Sequence, residues 1–397
     1  MKTLIAAAAA AVALAAPGAQ AQAVKMGLMG GITGPIAALA PAIIDAGKLA
    51  FDEVNAQGGL LDGRVIEAVI GDSGCNPQLG GDAAGKLVNV DGVAGIVGAH
   101  CSGATLAAAN TVTVPAGVVL ISPASTSPAV TALDDNDTVF RVVPSDNYQG
   151  AALARTLKGL GYGPIAVSYL NNDYGKGLAE AFKTEYERLG GAVAAFAAHE
   201  EAKASYRAEL AELARSGADT LAIFDYGAGS GLTMLRQSLE NGFFARHVGG
   251  DGMRAENMIG ELGAGALADF VASSPVGEGG AALERFNAAA TAAGLDPSAV
   301  FATSGYDAAF LLALAFEHAG GDRAKMSASL RSVASAPGEP ILPGEWAKAK
   351  ALIAAGQDID YRGAAGDHEF DMNGDVPGSF ALFNVVGDGF AVLAEMK

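Results

Sequence analysis

Residues 93–105, VAGIVGAHCSGAT, change from an apolar run to a polar turn and then to a helix-forming stretch. The first seven of these residues have the small and β-branched composition of a buried strand. Similar apolar runs recur along the chain and are separated by helical stretches of roughly ten to eighteen residues. Because strands that alternate with helices form parallel sheets buried on both faces, the sequence predicts a doubly wound α/β fold.

The alternation of strands and helices predicts the individual elements and the lobes they build. Strands are expected at residues 24–29, 65–71, 93–99, 117–122, 164–170, 192–198, 220–224 and 247–250. Helices are expected at residues 42–55, 104–112, 147–160, 174–189, 206–215 and 231–241. The alternating pattern restarts near residues 141–145, after a first set of four strands. Residues 281–319 return to a helical pattern. From residue 363 onward the sequence predicts a strand at 368–371, a turn at Asn373-Gly374 and a strand at 379–386.

Two similar lobes joined by several chain crossings form a hinge with a cleft between them. We expect lobe I to comprise residues 24–142 and 276–378, and lobe II to comprise residues 143–275 and 379–397.

The charge of the chain restricts the kind of ligand. The 397 residues include 43 acidic and 25 basic side chains, so the formal net charge is −18. A surface that binds nucleic acid or an anionic membrane needs clustered Lys and Arg. A neutral or zwitterionic small molecule, or a protein, is therefore the expected partner.

The N-terminal segment indicates export. Residues 1–23 begin with Lys2, continue with an apolar stretch and end in small residues that predict cleavage of a signal peptide near Ala21 or Ala23. The alternative is an uncleaved anchor, although the apolar stretch is shorter than the roughly 18 residues of a membrane span. We expect a mature protein in the periplasm.

An oxidising compartment makes one disulfide the default for Cys75 and Cys101, with two buried free thiols as the alternative. A disulfide between these two cysteines would stabilise the fold by about 3.5 kcal/mol in the chain-entropy treatment. His100 alone does not complete a zinc site with these cysteines, and no metal or cofactor is expected.

Polar turns follow the predicted strands at the edge where ligands bind in open α/β sheets. In lobe I these turns are residues 100–105 and 123–128, which supply hydroxyls, a predicted Ser102 N-cap and free N–H groups. In lobe II they are residues 171–174, 225–227 and 250–252, which supply carboxylates and aromatic rings. Each turn alone is also explained by helix capping, but together they suit an α-amino acid, whose carboxylate needs donors and whose ammonium needs an acid.

Three motifs resemble sites of other chemistry. Ser73 and His100 occur in the reverse of the order found in chymotrypsin-like proteases. Residues 371–375, DMNGD, imitate the start of an EF-hand loop but lack its later glycine and glutamate, so a hairpin turn is the better interpretation. Residues 227–231, GAGSG, lack the third glycine of a dinucleotide-binding loop.

The chain resembles the periplasmic leucine/isoleucine/valine-binding proteins of ABC transporters, which have the type I two-lobed fold. The resemblance rests on motifs spread over most of the chain: Gly34-Pro35, residues 52–59 (DEVNAQGG), Cys75-Asn76-Pro77, Cys101-Ser102, residues 122–126 (SPAST), residues 172–177 (NDYGKG), Leu235-Arg236-Gln237 and residues 370–375 (FDMNGD).

This resemblance implies a Cys75–Cys101 disulfide and a set of ligand-binding residues. It assigns the ligand carboxylate to Ser102 and Thr126 and the ammonium to the Ala124 carbonyl and Asp251. It also implies that two aromatic rings from lobe II close over the ligand. The complete set of expected ligand-binding residues is His100, Ser102, Ala124, Ser125, Thr126, Tyr174, Tyr226 (or its neighbour Gly227), Asp251 and Phe301.

Two departures from the family pattern concern specificity. His100 stands where the aliphatic binders carry Leu, and Leu39 stands where they carry Tyr, whereas Phe301 keeps the pattern. His100 is either a hydrogen-bonding partner for a polar ligand side chain or a neutral wall. The expected function is a monomeric solute-binding protein, not an enzyme, that delivers an α-amino acid, preferably branched and aliphatic, to an ABC permease. The alternatives are another small ligand (a polar or acidic amino acid, an amide or an aromatic acid) and an exported amide hydrolase using His100 with Ser102 or Ser73.

Overall fold

The computed structural model describes residues 22–396, so the predicted signal segment lies almost entirely outside the described residues. The strands are β1 (Val24–Gly30), β2 (Ile66–Asp72), β3 (Ile96–Val97), β4 (Leu120–Ser122), β5 (Val139–Arg141), β6 (Ile165–Leu170), β7 (Val193–His199), β8 (Thr220–Phe224), β9 (Arg246–Gly249), β10 (Phe270–Val276), β11 (Glu339–Ile341), β12 (Ile359–Tyr361), β13 (Ser379–Val386) and β14 (Gly389–Met396).

The helices lie between these strands and complete the alternating pattern. They are α1 (Ala40–Ala56), α2 (Pro77–Lys86), α3 (Ser102–Ala108), α4 (Val114–Ala116), α5 (Pro128–Thr131), α6 (Asp146–Gly159), α7 (Asp173–Arg188), α8 (Arg207–Ala214), α9 (Ser230–Asn241), α10 (Asn257–Leu262), α11 (Gly280–Ala292), α12 (Ala302–His318), α13 (Met326–Val333) and α14 (Trp346–Ala354). Among the helices of residues 22–396, none combines the length and the apolar content that a membrane crossing needs.

Two sheets carry the fold, and both are mainly parallel, which confirms the predicted α/β class. The first has the order β2-β1-β3-β4-β5, with every pairing parallel. The second has the order β14-β13-β10-β9-β8-β6-β7, in which β13 pairs antiparallel with β10 and β14 pairs antiparallel with β13. A separate parallel pair joins β11 to β12.

The chain passes between the two sheets three times over the described residues: after β5, after β10 and before β13. This distribution of strands supports the division into lobes proposed above, whose residue boundaries stay a prediction. In each sheet the strand order reverses once within the parallel part, between β1 and β3 and between β6 and β8. Ligands bind at such reversal points, outside the carboxyl ends of the strands.

The structure corrects the predicted strands in three places. A fifth strand, β5, ends the first set, where the sequence suggested four, and β10, β11, β12 and β14 lie outside the predicted strands. Residues 368–371 are not a strand, and the turn at residues 372–374 does not connect a hairpin. The C-terminal hairpin is instead formed by β13 and β14, because the two-residue Gly387-Asp388 turn allows antiparallel strands to pair directly.

The buried helix α12 is strongly apolar. Its residues 304–317 are buried, and the helix packs against α1 within the larger hydrophobic core. A helix that is apolar on most of its circumference belongs in a core.

Candidate ligand-binding site

A small cavity lies between the carboxyl ends of the two sheets. Its walls are formed by Ile36, Leu39, Ile43, His100, Cys101, Ser102, Ala124, Tyr174, Tyr226, Asp251, Gly252 and Phe301. The structure therefore brings seven of the nine expected site residues to one cavity.

The lobe I side of the cavity carries hydroxyl groups on two adjacent loops. Ser102 is the first residue of α3, and Cys101 rather than Ser102 occupies the N-cap position, which corrects the predicted serine cap. The Ser102 hydroxyl accepts a hydrogen bond from the Ser127 N–H at 3.2 Å, so the two loops are joined. The Thr126 hydroxyl is buried without a hydrogen-bond partner.

Ser125 lies behind this wall rather than at the cavity surface. It is fully buried, and its hydroxyl is 2.7 Å from the Thr105 hydroxyl and 3.2 Å from the Ala99 carbonyl. These contacts connect the loop after β4 to the loop after β3.

The lobe II side carries a pair of stacked tyrosines and an acid. The rings of Tyr174 and Tyr226 lie 5.1 Å apart with an interplanar angle of 17°. The Tyr174 hydroxyl donates to Asp251 Oδ1 at 3.0 Å and accepts the Gly252 N–H at 3.0 Å. Burial raises the pKa of both tyrosines well above the usual value, so both hydroxyls stay protonated donors.

One buried aspartate, Asp251, lines the cavity, and a second, Asp146, lies close to it. Asp251 is 3% exposed and accepts hydrogen bonds from Tyr174 and from Gln149 Nε2, the latter at 2.9 Å. Asp146, the first residue of α6, is fully buried, and neither of its carboxylate oxygens has a hydrogen-bond partner. Neither acid forms an ion pair among residues 22–396.

The close approach of the two acids changes their titration. Burial raises the pKa of Asp251 to about 6. Burial and then the negative charge of Asp251 raise the pKa of Asp146 well above the usual value. Two desolvated acids that lie close together and form no direct ion pair favour a cation.

A disulfide fixes the lobe I wall. Cys75 and Cys101 are bonded, with Cα atoms 5.3 Å apart, which confirms the expected pairing. Because Cys101 directly precedes Ser102, the bond holds the start of α3 close to the segment before α2.

Comparison with known proteins places this chain in a family. The family model described as "Periplasmic binding protein" matches residues 23–373. The chain belongs to the periplasmic binding protein family. Its members are solute-binding proteins, and the two-lobed type I fold of this chain is that of its solved relatives.

Individual relatives are similar over most of the length of this periplasmic binding protein. A leucine-, isoleucine-, valine-, threonine- and alanine-binding protein of Pseudomonas aeruginosa is 30% identical over 318 residues, which cover 79% of this chain and 83% of the relative. The leucine-specific-binding protein of Salmonella typhimurium is 26% identical and covers 95% of both chains.

Solved structures show the same likeness. The leucine-binding protein LivK of Thermotoga maritima has a TM-score of 0.80 at 25% identity, covering 94% of this chain and 99% of the other. LivJ of Streptococcus pneumoniae, solved in complex with isoleucine, has a TM-score of 0.77 at 25% identity and covers 94% of this chain and 99% of the other. A solute-binding protein of Rhodopseudomonas palustris in complex with p-hydroxybenzoic acid shares the fold at 17% identity, with a TM-score of 0.77 and coverage of 94% of this chain and 97% of the other.

In this periplasmic binding protein His100 is a neutral wall residue. It is 5% exposed, its Nδ1 has no hydrogen-bond partner, and burial lowers its pKa to about 3. The imidazole packs directly against Gly30 at the end of β1. A larger residue at position 30 would clash with it, because a Cβ there would lie 2.4 Å from His100 Cε1. The remaining apolar wall comes from Ile36, Leu39, Ile43 and Phe301.

Sequence reasoning missed Asp146, Gln149 and two aliphatic residues, Ile36 just before α1 and Ile43 within it. Ser145 caps α6 through its side chain, so an acid in the next position reads as ordinary helix-terminus chemistry. The available signal was the coincidence of an acid and an amide, at Asp146 and Gln149, beside the first chain crossing. Ile36 and Ile43 gave no signal because aliphatic residues near a helix are more often part of the core.

Proposed function

We propose that this protein captures a zwitterionic α-amino acid with an aliphatic side chain and delivers it to an ABC permease. The observation that carries the proposal is that Asp251 and Ser102 line the same cavity, with a second buried acid, Asp146, close to Asp251. An amino acid suits both the acidic and the hydroxyl-bearing parts of the site. Its ammonium binds at the acids, and its carboxylate accepts hydrogen bonds from the hydroxyl-bearing loops.

The apolar part of the cavity supports an aliphatic side chain. Ile36, Leu39, Ile43 and Phe301 give it a hydrocarbon wall, and the neutral His100 adds no charge there. A charged ligand side chain has no oppositely charged partner among these residues, so its desolvation would be uncompensated. The relatives that are named for, or solved with, leucine and isoleucine agree with this choice.

A benzoate, the kind of ligand found in other proteins of this fold, fits the charges less well. It has no ammonium and would bring its own negative charge close to the two buried acids. The acid pair therefore distinguishes the amino-acid proposal from the aromatic-acid alternative.

The hydrolase alternative requires a serine hydrogen-bonded to a histidine base. The Nδ1 atom of His100 has no hydrogen-bond partner, and the Ser102 hydroxyl accepts from a backbone N–H. These contacts favour binding without chemistry. Export to the periplasm, signal cleavage near Ala21 or Ala23, a monomeric state and docking of the closed form on a permease are parts of the same proposal.

The test is to identify the ligand. We expect mass spectrometry of the denatured, purified protein to detect a released amino acid, and leucine, isoleucine or valine to raise the melting temperature of the ligand-free protein. Stabilisation by benzoate or 4-hydroxybenzoate with no response to any amino acid would refute the proposal.

A further inference from the structure

The 125–127 loop of lobe I is held by one buried guanidinium. Arg141 Nη1 donates to the carbonyls of Ser125 at 3.3 Å, Thr126 at 2.9 Å and Ser127 at 2.9 Å. Arg141 is fully buried and ends β5. The oxygen atoms of three successive carbonyls thus face the same cation, and the positive charge of the guanidinium offsets their partial negative charges.

Asp375, near the end of the second chain segment of lobe I, holds that guanidinium in place. Its carboxylate accepts from Arg141 Nε and Nη2, each at 2.7 Å, in a bidentate pair. The Thr131 hydroxyl donates to Asp375 Oδ2 at 2.7 Å and accepts from Arg141 Nη2 at 2.6 Å. Every donor group of the guanidinium is therefore engaged, and a planar fork held in this way cannot rotate.

The EF-hand-like residues have a structural purpose in this arrangement. Asp371 Oδ1 accepts the N–H groups of Asn373 at 2.8 Å and Asp375 at 3.0 Å, which closes the turn. Gly374 has φ +73°, and a Cβ there would lie 2.4 Å from the Val139 carbonyl, so the turn packs directly against β5. The motif therefore brings Asp375 to Arg141.

The pair also lies where two chain crossings begin. Arg141 directly precedes the crossing after β5, and Asp375 lies shortly before the crossing into β13. The loop, the guanidinium and two of the three crossings are thereby connected through one ion pair.

We propose that Arg141 and Asp375 are positioning residues that shape the 125–127 loop for the ligand carboxylate. By turning three carbonyls toward the guanidinium, they keep those negative dipoles away from a bound carboxylate and hold the Thr126 hydroxyl beside it. The Ala124 carbonyl, which is not among the acceptors of Arg141, stays available for the ammonium. The inference rests on the proposed function, because it assumes a ligand with a carboxylate.

The test compares leucine with leucinamide, which keeps the ammonium but replaces the carboxylate by a neutral amide. Binding of both is measured by calorimetry for the wild type, Asp375→Asn and the milder Thr131→Val. We expect the preference for leucine over leucinamide to fall about tenfold in Asp375→Asn and about threefold in Thr131→Val, with little change in leucinamide affinity.

Asp307→Asn is the matched control. Asp307 is also fully buried in lobe I and accepts from Tyr361, His368 and two backbone N–H groups, but it has no contact with the 125–127 loop. It should lower the melting temperature without changing the leucine preference.

The outcomes separate the two proposals. An equal loss of affinity for both ligands, or an unchanged preference in a destabilised variant, overturns the positioning role. If Asp375→Asn does not fold, the preference measured for Thr131→Val decides in the same way. If the wild type binds neither ligand, the proposed function fails, and the positioning role fails with it.

Discussion

At the scale of single residues, the site is marked by two buried acids whose burial is unfavourable for the stability of the fold. Asp146 and Asp251 are both buried, and Asp146 has no hydrogen-bond partner for either oxygen. A buried carboxylate without a counter-charge destabilises the fold unless a ligand supplies that charge. Groups of this kind persist where function needs them.

Removal of either charge should therefore have opposite effects on binding and on stability. We expect Asp251→Asn and Asp146→Asn each to weaken leucine binding by about 2 kcal/mol, because a charge-assisted contact to the ammonium is lost. The ligand-free variants should melt at an equal or higher temperature than the wild type. Calorimetry measures the loss of leucine affinity, and thermal melting measures the change in stability of the ligand-free variants. Asp219→Asn, at an exposed ion pair with Arg246, serves as the control.

Proton release should accompany binding at mildly acid pH. The pKa of Asp251 is raised to about 6, so below that pH the free protein holds a proton that an arriving ammonium displaces. Affinity should rise as the pH increases from about 4 to about 6 and then level off. Calorimetry in buffers of different ionisation enthalpy should find protons released at pH 5, with the release reduced in Asp251→Asn.

Melting temperature is the wrong measurement for this pH effect. Raised carboxyl pKa values destabilise the fold as pH rises through that window, because the unfolded chain has already released its protons. Burial lowers the pKa of His100 to about 3 and of His247 to about 4, so these two contribute stability that is lost as pH falls below about 6.5. The two contributions have opposite signs.

At the scale of elements, the cavity depends on how closely α1 and α12 pack. A Cβ on Gly305 would lie 2.4 Å from the backbone carbonyl of Ile43, and Ile43 also lines the cavity. A backbone atom cannot move aside as a flexible side chain can, so the two helices would have to separate.

Gly305→Ala should therefore destabilise the protein by about 1 to 3 kcal/mol through overpacking and also weaken ligand binding. Gly260→Ala is the control, because Gly260 lies inside α10 with open space around the new methyl group, and alanine there should be neutral or stabilising by up to about 1 kcal/mol. Chemical denaturation of both variants tests the contrast. Equal stability of the two would contradict the close packing of α1 against α12.

Element prediction succeeded where the local signal agreed with the tertiary environment. The buried strands β1, β4, β6 and β8 were predicted because their apolar runs stand between clear turn residues. Strand β10, FVASSPV, was missed because its serines and proline do not have the composition of a buried strand. It is a strand because β9 and β13 pair with it on both sides.

At the scale of the whole molecule, the two lobes meet over the site. The Ser127 hydroxyl donates across the cleft to the Asp173 carbonyl at 2.8 Å, and site residues from both lobes are buried together. A ligand that contacts both lobes lowers the free energy of this closed arrangement relative to an open one.

We expect leucine to reduce the radius of gyration of the ligand-free protein in a saturable way, measured by small-angle X-ray scattering. Half of the change should occur at the ligand's own dissociation constant. Asp251→Asn should need proportionally more leucine for the same compaction, because the ammonium contact between ligand and lobe II is weakened. A radius that is unaffected by saturating leucine would show that closure does not depend on the ligand.

The sequence by itself determined the α/β class, the disulfide and the polar turns at strand ends, because these depend on local periodicity, cysteine number and residue type. It also indicated most of the cavity wall through family motifs. Only the tertiary structure decided that Asp146 lies near Asp251, that His100 is neutral and that Arg141 holds the loop at Ser125 to Ser127. Burial and the approach of distant segments set these properties, and neither is encoded in any short stretch of the chain.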